Sequence, residues 1–253
     1  MKIIVLGSGP ADSIPRLGCE CLACQDARKP KSRSKRTRSS VILKIKNKNV
    51  LIDASPDFKE QIKRERIKSI DAVLITHGHQ DAIGGFKKNS AFENLKVFAE
   101  RKTIDKIRKF KKNLAFETIS PNKVFEVFGI SIIPFRVRHA FREREFPTVG
   151  FRIGDFVYAS DASRIPSESE KYLKSAKIVF LDAAMWFGRK IKWHLNAEEA
   201  IELAERLKIK TLYLTQIGHS YPRYNQAAKE IKKFCQKEKI TAKVVLAYDG
   251  LKL

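Results

Sequence analysis

The sequence predicts an α/β protein whose strands lie sandwiched between outer helices, and three observations carry that prediction. Short β-like runs fill the early part of the chain: KIIVLG (2–7), SVILKI (40–45), NVLIDA (49–54) and DAVLITH (71–77). The last third alternates strand with helix: KIVFLDA, helix NAEEAIELAERL, TLYLTQI, helix AAKEIKKFC, AKVVLAYDG. Strand and helix can alternate in this way only if helices cover the sheet faces. The third observation is size. With 253 residues, 43% of them hydrophobic, the chain can bury a full core. No internal repeat or long linker divides it, so residues 1–253 read as a single domain.

The N-terminal MKIIVLGSGPADSIP has an apolar stretch but no basic n-region and no small-residue cleavage site. It reads as a first strand and turn, not a signal peptide. No apolar run approaches the roughly 18 residues of a membrane span. These features predict a cytoplasmic protein with no membrane partner.

Next comes Gly18-Cys19-Glu20-Cys21-Leu22-Ala23-Cys24, which places three of the four cysteines within six residues. In a reducing compartment such a run suggests metal rather than disulfide. Three thiolates from one loop suit tetrahedral zinc, which needs a fourth soft or imidazole ligand. Cys235, at an apolar position of the C-terminal helix, reads as core. Directly after the cysteines, residues 28–38 (RKPKSRSKRTR) hold seven bases and no acid, so residues 18–38 form a knuckle loop presenting charge.

A helix is expected around 57–66, followed by the most informative segment, LITHGHQDAIGG (74–85). An apolar strand ends at Thr76, and His77, His79 and Asp81 follow on a turn before Gly84 and Gly85. Two imidazoles two residues apart can grip one ion, and a carboxylate two further on can reach the same ion or a neighbour. A basic helix is then expected over 102–113, with Phe110 interleaved among Lys102, Lys106, Arg108, Lys109, Lys111 and Lys112. KVFEVFG, ISIIPFRVRH, VGFRIG and DFVYASDA continue as a meander with glycine-containing turns. Asn196 with Glu199 has capping-box spacing at the start of the late helix.

The net charge is +23, from 51 Lys and Arg against 28 Asp and Glu. That excess favours a polyanionic partner, nucleic acid (DNA or RNA) first. A lysine-rich proteome is the alternative, although there acids normally keep pace. Candidate nucleic-acid contacts are Arg33, Lys35, Arg36 and Arg38 in the loop, and Arg138, Arg142 and Arg144 around His139. Phe141, Phe146, Trp186 and Trp193 are available for base stacking. Oligomeric state is not encoded in any pattern found.

The run His77-Gly78-His79-Gln80-Asp81 resembles the His-x-His-x-Asp-His signature of the metallo-β-lactamase superfamily. The resemblance spans nearly the whole chain and implies a four-layer αββα sandwich. By its pattern Asp53 in LIDAS supports the site, VRHA supplies His139 as the third histidine ligand, and YASDAS supplies Asp161 as the bridging carboxylate. TQIGH (215–219) fills the slot of Thr-His-x-Ser-His. Two departures stand out: Ala82 replaces the last signature histidine, and Gln216 replaces the final active-site histidine. What survives is His77, His79, His139 and Asp161, enough for one divalent ion (zinc, manganese or iron), so a single metal is expected in place of the usual pair. A weak second ion on Asp81, Asp161 and the Gln216 oxygen remains open.

The cysteine run resembles the N-terminal loop of PhnP-type cyclic phosphodiesterases and of PqqB. That likeness implies a structural zinc on Cys19, Cys21, Cys24 and His219. His194 stands where PhnP-type enzymes and tRNase Z carry a histidine that can protonate a leaving oxygen, and Asp81 could orient or deprotonate water. Asp182 is read as a supporting or ligand-orienting residue. Three functions follow: a metal-dependent hydrolase acting on nucleic acid, by phosphodiester cleavage or repair of a damaged nucleotide; a small-molecule cyclic phosphodiesterase; or a non-catalytic nucleic-acid-binding protein with a degenerate site.

Overall fold

A computed structural model describes residues 1–88, 90–141 and 144–253. Its layers follow from the period-two alternation of strand side chains. In β1 (Lys2–Gly7), Ile3 and Val5 join one core while Ile4 and Leu6 join another. A strand buried on both faces belongs to an interior sheet.

That sheet continues with β2 (Ser40–Ile45), β3 (Lys48–Ile52), β4 (Ala72–Leu74), β5 (Lys96–Ala99) and β6 (Ala115–Thr118), ordered β1-β2-β3-β4-β5-β6. The first three strands pair antiparallel and the remainder parallel. A second sheet is built from β7 (Phe125–Val127), β8 (Ile130–Val137), β11 (Thr148–Ile153), β12 (Phe156–Ala159), β13 (Ile178–Asp182), β14 (Thr211–Thr215) and β15 (Lys243–Leu246). Its order is β15-β14-β13-β12-β11-β8-β7, and a small ribbon of β9 (Ala140–Phe141) and β10 (Arg144–Glu145) interrupts the chain between β8 and β11.

Three apolar layers hold the sheets and helices together. Ile3, Val5, Val41, Leu43 and Phe98 of the first sheet meet Phe151, Tyr158, Phe180 and Tyr213 of the second. Ile4, Leu6, Ile42 and Val97 pack outward against α2 (Phe58–Arg64), α3 (Gln80–Ile83) and α4 (Arg101–Arg108) through Phe58, Ile83, Ile104 and Ile107. On the far side, Val157, Leu181 and Leu212 lie under Ala200 and Ile201 of α6 (Ala197–Arg206) and Ala227 and Ile231 of α7 (Tyr224–Lys237). The result is the expected helix–sheet–sheet–helix sandwich. The two short helices α1 (Leu22–Ala27) and α5 (Ser167–Glu170) lie in connections. Among the described residues no helix is long and apolar enough to cross a membrane.

The capping box forms as expected: the Glu199 N–H donates to Asn196 at 2.8 Å, and the Asn196 N–H donates back to the Glu199 carboxylate at 3.0 Å. Three local readings are corrected. The basic helix ends at Arg108, because the chain after it must extend to pair β6 beside β5. Those two strands went unread, since neither stands out from its polar surroundings. The cysteine run includes the short helix α1.

Arg36 is the larger correction. It was read as a surface contact for nucleic acid, yet it is 2% exposed. Its guanidinium donates to Ser8 Oγ at 2.6 Å and to the Ala247 carbonyl, with the Asp249 charge nearby. Charge pattern alone cannot distinguish an arginine that points outward from one that ties two distant segments together.

Candidate metal centre

The chemistry-bearing residues collect where strands end. His77 follows β4, His139 follows β8, Asp161 follows β12, Asp182 closes β13 and Gln216 follows β14. Open α/β sheets expose such strand ends to ligand, and this edge carries the main cavity.

His77 is held in one tautomer by a short relay. The Thr76 hydroxyl donates to Asp53 at 2.9 and 3.0 Å, and the same oxygen lies 2.9 Å from His77 Nδ1. With Asp53 ionised, the single hydroxyl proton goes to it, Nδ1 is then the donor and Nε2 is left as a bare lone pair. Nε2 is buried and has no hydrogen-bond partner. An unpartnered buried acceptor is unfavourable unless something positive faces it.

The other ligand atoms converge on that lone pair. The nitrogens of His77, His79 and His139 lie within 4.8 Å of one another; so do the ligand atoms of His77, Asp81 and Asp161, and of His139, Asp161 and His194. His79 Nδ1 is 3.1 Å from His139 Nε2, and His139 Nδ1 is 3.2 Å from the Trp193 carbonyl. Burial brings His77 down to about 4, and burial with the neighbouring imidazoles does the same to His79. Both are therefore neutral ligands at physiological pH. Burial also raises Asp81, and the charge of Asp161 adds to it, to about 6. For Asp161 burial opposes ionisation, but His77 and His139 outweigh it and hold the carboxyl below its ordinary range.

Gly78 permits this packing. A Cβ there would meet Phe146 Cζ at 2.8 Å and Lys106 Cδ at 3.1 Å. Phe146 packs beside His79, and Lys106 Nζ sits 4.0 Å over the Phe146 ring while donating to the Gly78 carbonyl at 3.1 Å.

His194 reaches the cluster from the loop before α6. Its Nδ1 lies 2.5 Å from Asp182, whose carboxylate also accepts the N–H groups of Ala162 and Ala184 at 2.8 and 2.9 Å. Burial disfavours charge on His194, but Asp182 overrides this and raises it to about 9. Asp182 thus positions the histidine from beneath.

His79, Asp81, His139, Asp161 and His194 line a cavity of about 850 Å³. Its walls add Arg38, Lys87, Lys106 and Lys109 among the apolar Pro56, Ile83, Phe110 and Phe146. Lys87 was not singled out from sequence; the available signal was a base just after Gly84-Gly85, on the far side of the metal-binding turn. Among the described residues no ion pair engages Lys87, Lys106 or Lys109.

The second cluster joins Cys19, Cys21, Cys24 and His219, whose ligand atoms lie within 4.8 Å of one another. His219 Nδ1 is 3.3 Å from Cys19 Sγ and 3.8 Å from Cys21 Sγ, and the Arg16 N–H donates to Cys24 Sγ at 3.3 Å. None of the four cysteines is in a disulfide. Hydrogen bonds from Cys21 lower Cys19, whereas burial pushes Cys24 up to about 12. Cys235 is half-buried against the α6/α7 core.

The loop bases are largely engaged within the fold. Arg28 pairs with Glu20, Lys29 with Asp26, Lys35 with Glu60 and Arg38 with Asp57, while Arg33 stacks 4.3 Å over Tyr248. Arg138 is exposed beside His139. Arg142 lies outside the described residues, and Arg144 is described only as backbone of β10. Trp186 packs against Phe187 and Tyr221 as part of the core, and Trp193 is half-buried behind His139.

With that geometry in place, comparison with known proteins is decisive. A model described as a β-lactamase superfamily domain matches residues 48–217, more than half of the chain. The chain belongs to the metallo-β-lactamase superfamily. This superfamily member is similar to a crystal structure of a diphosphatase from the PhnP family, at 32% identity and a TM-score of 0.83, covering 100% of this chain and 96% of that one. Zn2+-bound PqqB from Methylobacterium extorquens superposes equally well, with a TM-score of 0.83, 22% identity, and 100% and 99% coverage; at that identity the likeness is one of fold. Among curated proteins, an octanoyltransferase of Porphyromonas gingivalis is 30% identical over 242 residues, or 89% of this chain. The match covers 48% of that protein, so the superfamily domain spans about half the length of that relative. The fold is that of metal-dependent hydrolases, and its His/Asp cluster lies at the strand ends.

Proposed function

We propose that the protein is a metal-dependent hydrolase of a compact phosphorylated substrate, either a phosphodiester or a diphosphate. One observation carries this reading: the unpartnered His77 Nε2 lies buried behind His79, His139 and Asp161, which line a cavity whose walls hold Lys87, Lys106 and Lys109, none of them ion-paired among the described residues. The donor set suits a divalent ion, and His77, His79, His139 and Asp161 would hold it. Such an ion supplies an activated water and positive charge opposite the phosphoryl oxygens.

The protein's own groups divide the remaining work. Asp81, buried beside the cluster, orients the attacking water and accepts its proton. Lys106, fixed between the Gly78 carbonyl and the Phe146 ring, binds phosphoryl oxygens together with Lys87, Lys109 and Arg38. His194 hydrogen-bonds Asp182 through Nδ1–H and turns Nε2–H toward the cavity, where it protonates the departing oxygen, an alkoxide from a phosphodiester or a phosphate from an anhydride. Ile83, Pro56 and Phe110 provide an apolar wall for the rest of the substrate. A volume of about 850 Å³ is of small-molecule size. The 32% identity to a PhnP-family diphosphatase supports the phosphoric-anhydride version. Cys19, Cys21, Cys24 and His219 hold a structural zinc, for which three thiols and an imidazole are the ordinary set.

The net charge of +23 favours a second reading, in which the phosphorylated group is a nucleic-acid end or damaged nucleotide. A hydrolysis panel of cyclic phosphodiesters, nucleoside diphosphate conjugates and DNA and RNA oligomers separates the two, run on wild type and His77→Ala. Turnover of small phosphates that His77→Ala abolishes is the expected result. Turnover confined to oligomers would select the second reading, and no turnover on any substrate would sink both.

A further inference from the structure

We propose that Gln216 confines this centre to a single metal ion, its side-chain amide standing against Asp161 where a second cation would have to sit. The inference rests on the metal-binding reading above and adds a stoichiometry to it.

Asp161 has two oxygens with different surroundings. Oδ1 faces the imidazoles, 3.9 Å from His77 Nε2 and 4.0 Å from His139 Nε2. Oδ2 receives the Gln216 Nε2–H at 2.5 Å and the Ser160 hydroxyl at 2.9 Å. A carboxylate oxygen has two lone-pair directions, and two donors fill them. Asp161 therefore meets an ion through Oδ1 alone, and its Oδ2 is closed to a second cation on the Gln216 side. Reversing the amide would put two oxygens 2.5 Å apart, so the nitrogen is the atom that faces the carboxylate.

Gln216 cannot easily turn away. It is 2% exposed and has a backbone φ of 59°, in the left-handed region that a side chain disfavours. Such a conformation persists where the surroundings impose it. Here the Ile217 N–H donates to the Ser8 carbonyl at 2.9 Å and the Gly218 N–H to the Ala184 carbonyl at 3.0 Å. Three residues beyond Gln216, His219 is anchored among the cysteines. The cysteine knuckle thus fixes the far end of the turn that aims the amide.

The other side of the site offers no replacement. Ala82, buried next to Asp81, has no donor atom. Each three-residue ligand group at this centre shares His77, His139 or Asp161 with another. Asp161 is the member best placed to join two ions, and Oδ2 is the oxygen that Gln216 and Ser160 fill.

Manganese(II) provides the test, because this hard cation prefers the His/Asp centre to thiolates. Protein stripped of the His/Asp-site metal is titrated calorimetrically with Mn2+, and its low-temperature electron paramagnetic resonance spectrum is recorded. Wild type is expected to take up one Mn2+ per chain and give the spectrum of an isolated ion. The double variant Ala82→His, Gln216→His is expected to take up one further equivalent and give the spectrum of an exchange-coupled pair. Two equivalents or a coupled spectrum in wild type overturns the proposal while leaving the metal-binding reading intact. No uptake overturns both, and one equivalent without phosphatase turnover removes only the proposed activity. If the double variant fails to fold, the wild-type stoichiometry still decides.

Discussion

Thr76 shows how much of this centre depends on a residue that could not itself hold a metal. Its hydroxyl links Asp53 to His77 and thereby sets which imidazole nitrogen faces Asp81 and Asp161. Partners of this kind commonly govern metal affinity by about 10–100-fold. Thr76→Val keeps the shape and removes the link, so metal affinity, read by competition with a chelator, should fall by roughly that factor. Circular dichroism should remain unchanged. Unaltered affinity would mean that the relay is incidental. At this scale the sequence was informative where donors are close in the chain, as in His77, His79 and Asp81, and where a motif could be matched, as for His139, Asp161 and His219. It was uninformative where the decisive contact spans the fold. The placement of Arg36 against Ala247 and the filling of Asp161 Oδ2 by Gln216 are such cases.

Elements contribute by aiming loops. The capping box at Asn196 begins α6 two residues after His194, and the Asn196 side chain also donates to the Arg189 carbonyl at 3.2 Å. Asn196→Ala removes the N-cap acceptor from a fully buried site and should lower unfolding free energy by about 1–2 kcal/mol. Denaturant titration measures it. At the other end of α6, Glu205 accepts the Thr241 N–H at 2.7 Å, its hydroxyl at 2.9 Å and the Ala242 N–H at 3.2 Å, just ahead of β15. Burial works against ionised Glu205, but these donors prevail and its pKa is lowered. A carboxyl lowered on folding stabilises the native state above its unfolded pKa, and that contribution disappears as pH falls through the folded value. Glu205→Gln should therefore cost about 1 kcal/mol at pH 7, with the gap to wild type closing in acid below the ordinary glutamate range. A gap independent of pH would show that charge is irrelevant there. The helices around Asn196 and Cys235 were legible because their apolar residues recur at helical spacing. The strands β5 and β6 were not, being short and bordered by lysines, and only their pairing makes them strands.

For the whole molecule, the four layers place every candidate ligand at one edge, and metal binding is linked to folding. An ion that binds only the native state stabilises it by about 2.7 kcal/mol at a hundred times its dissociation constant. For a chain of this size that corresponds to roughly 5–10 °C in Tm. Thermal unfolding in the presence of a strong chelator should fall by at least that much and recover when zinc is restored. A midpoint indifferent to chelation would count against both metal sites. The net charge of +23 was plain in the sequence, but its distribution was not. Much of the 28–38 run meets acids, rings or carbonyls of its own fold, whereas three lysines with no ion pair among the described residues, Lys87, Lys106 and Lys109, line the cavity.

The interior seat of Arg36 has a practical corollary for how this chain meets proteases. Trypsin cuts after arginine and lysine except before proline, so the 28–38 stretch offers it six sites in close succession, Lys29 being followed by Pro30. Arg28 and Lys31 stand on the surface, so nicking there should be quick and should leave two fragments still associated. The bond after Arg36 is different: its guanidinium is clasped by Ser8 and Ala247, and its backbone exchanges hydrogen bonds with Ile14. Scission at that point should track global unfolding, making the Arg36–Thr37 bond an internal clock for the opening of the whole domain.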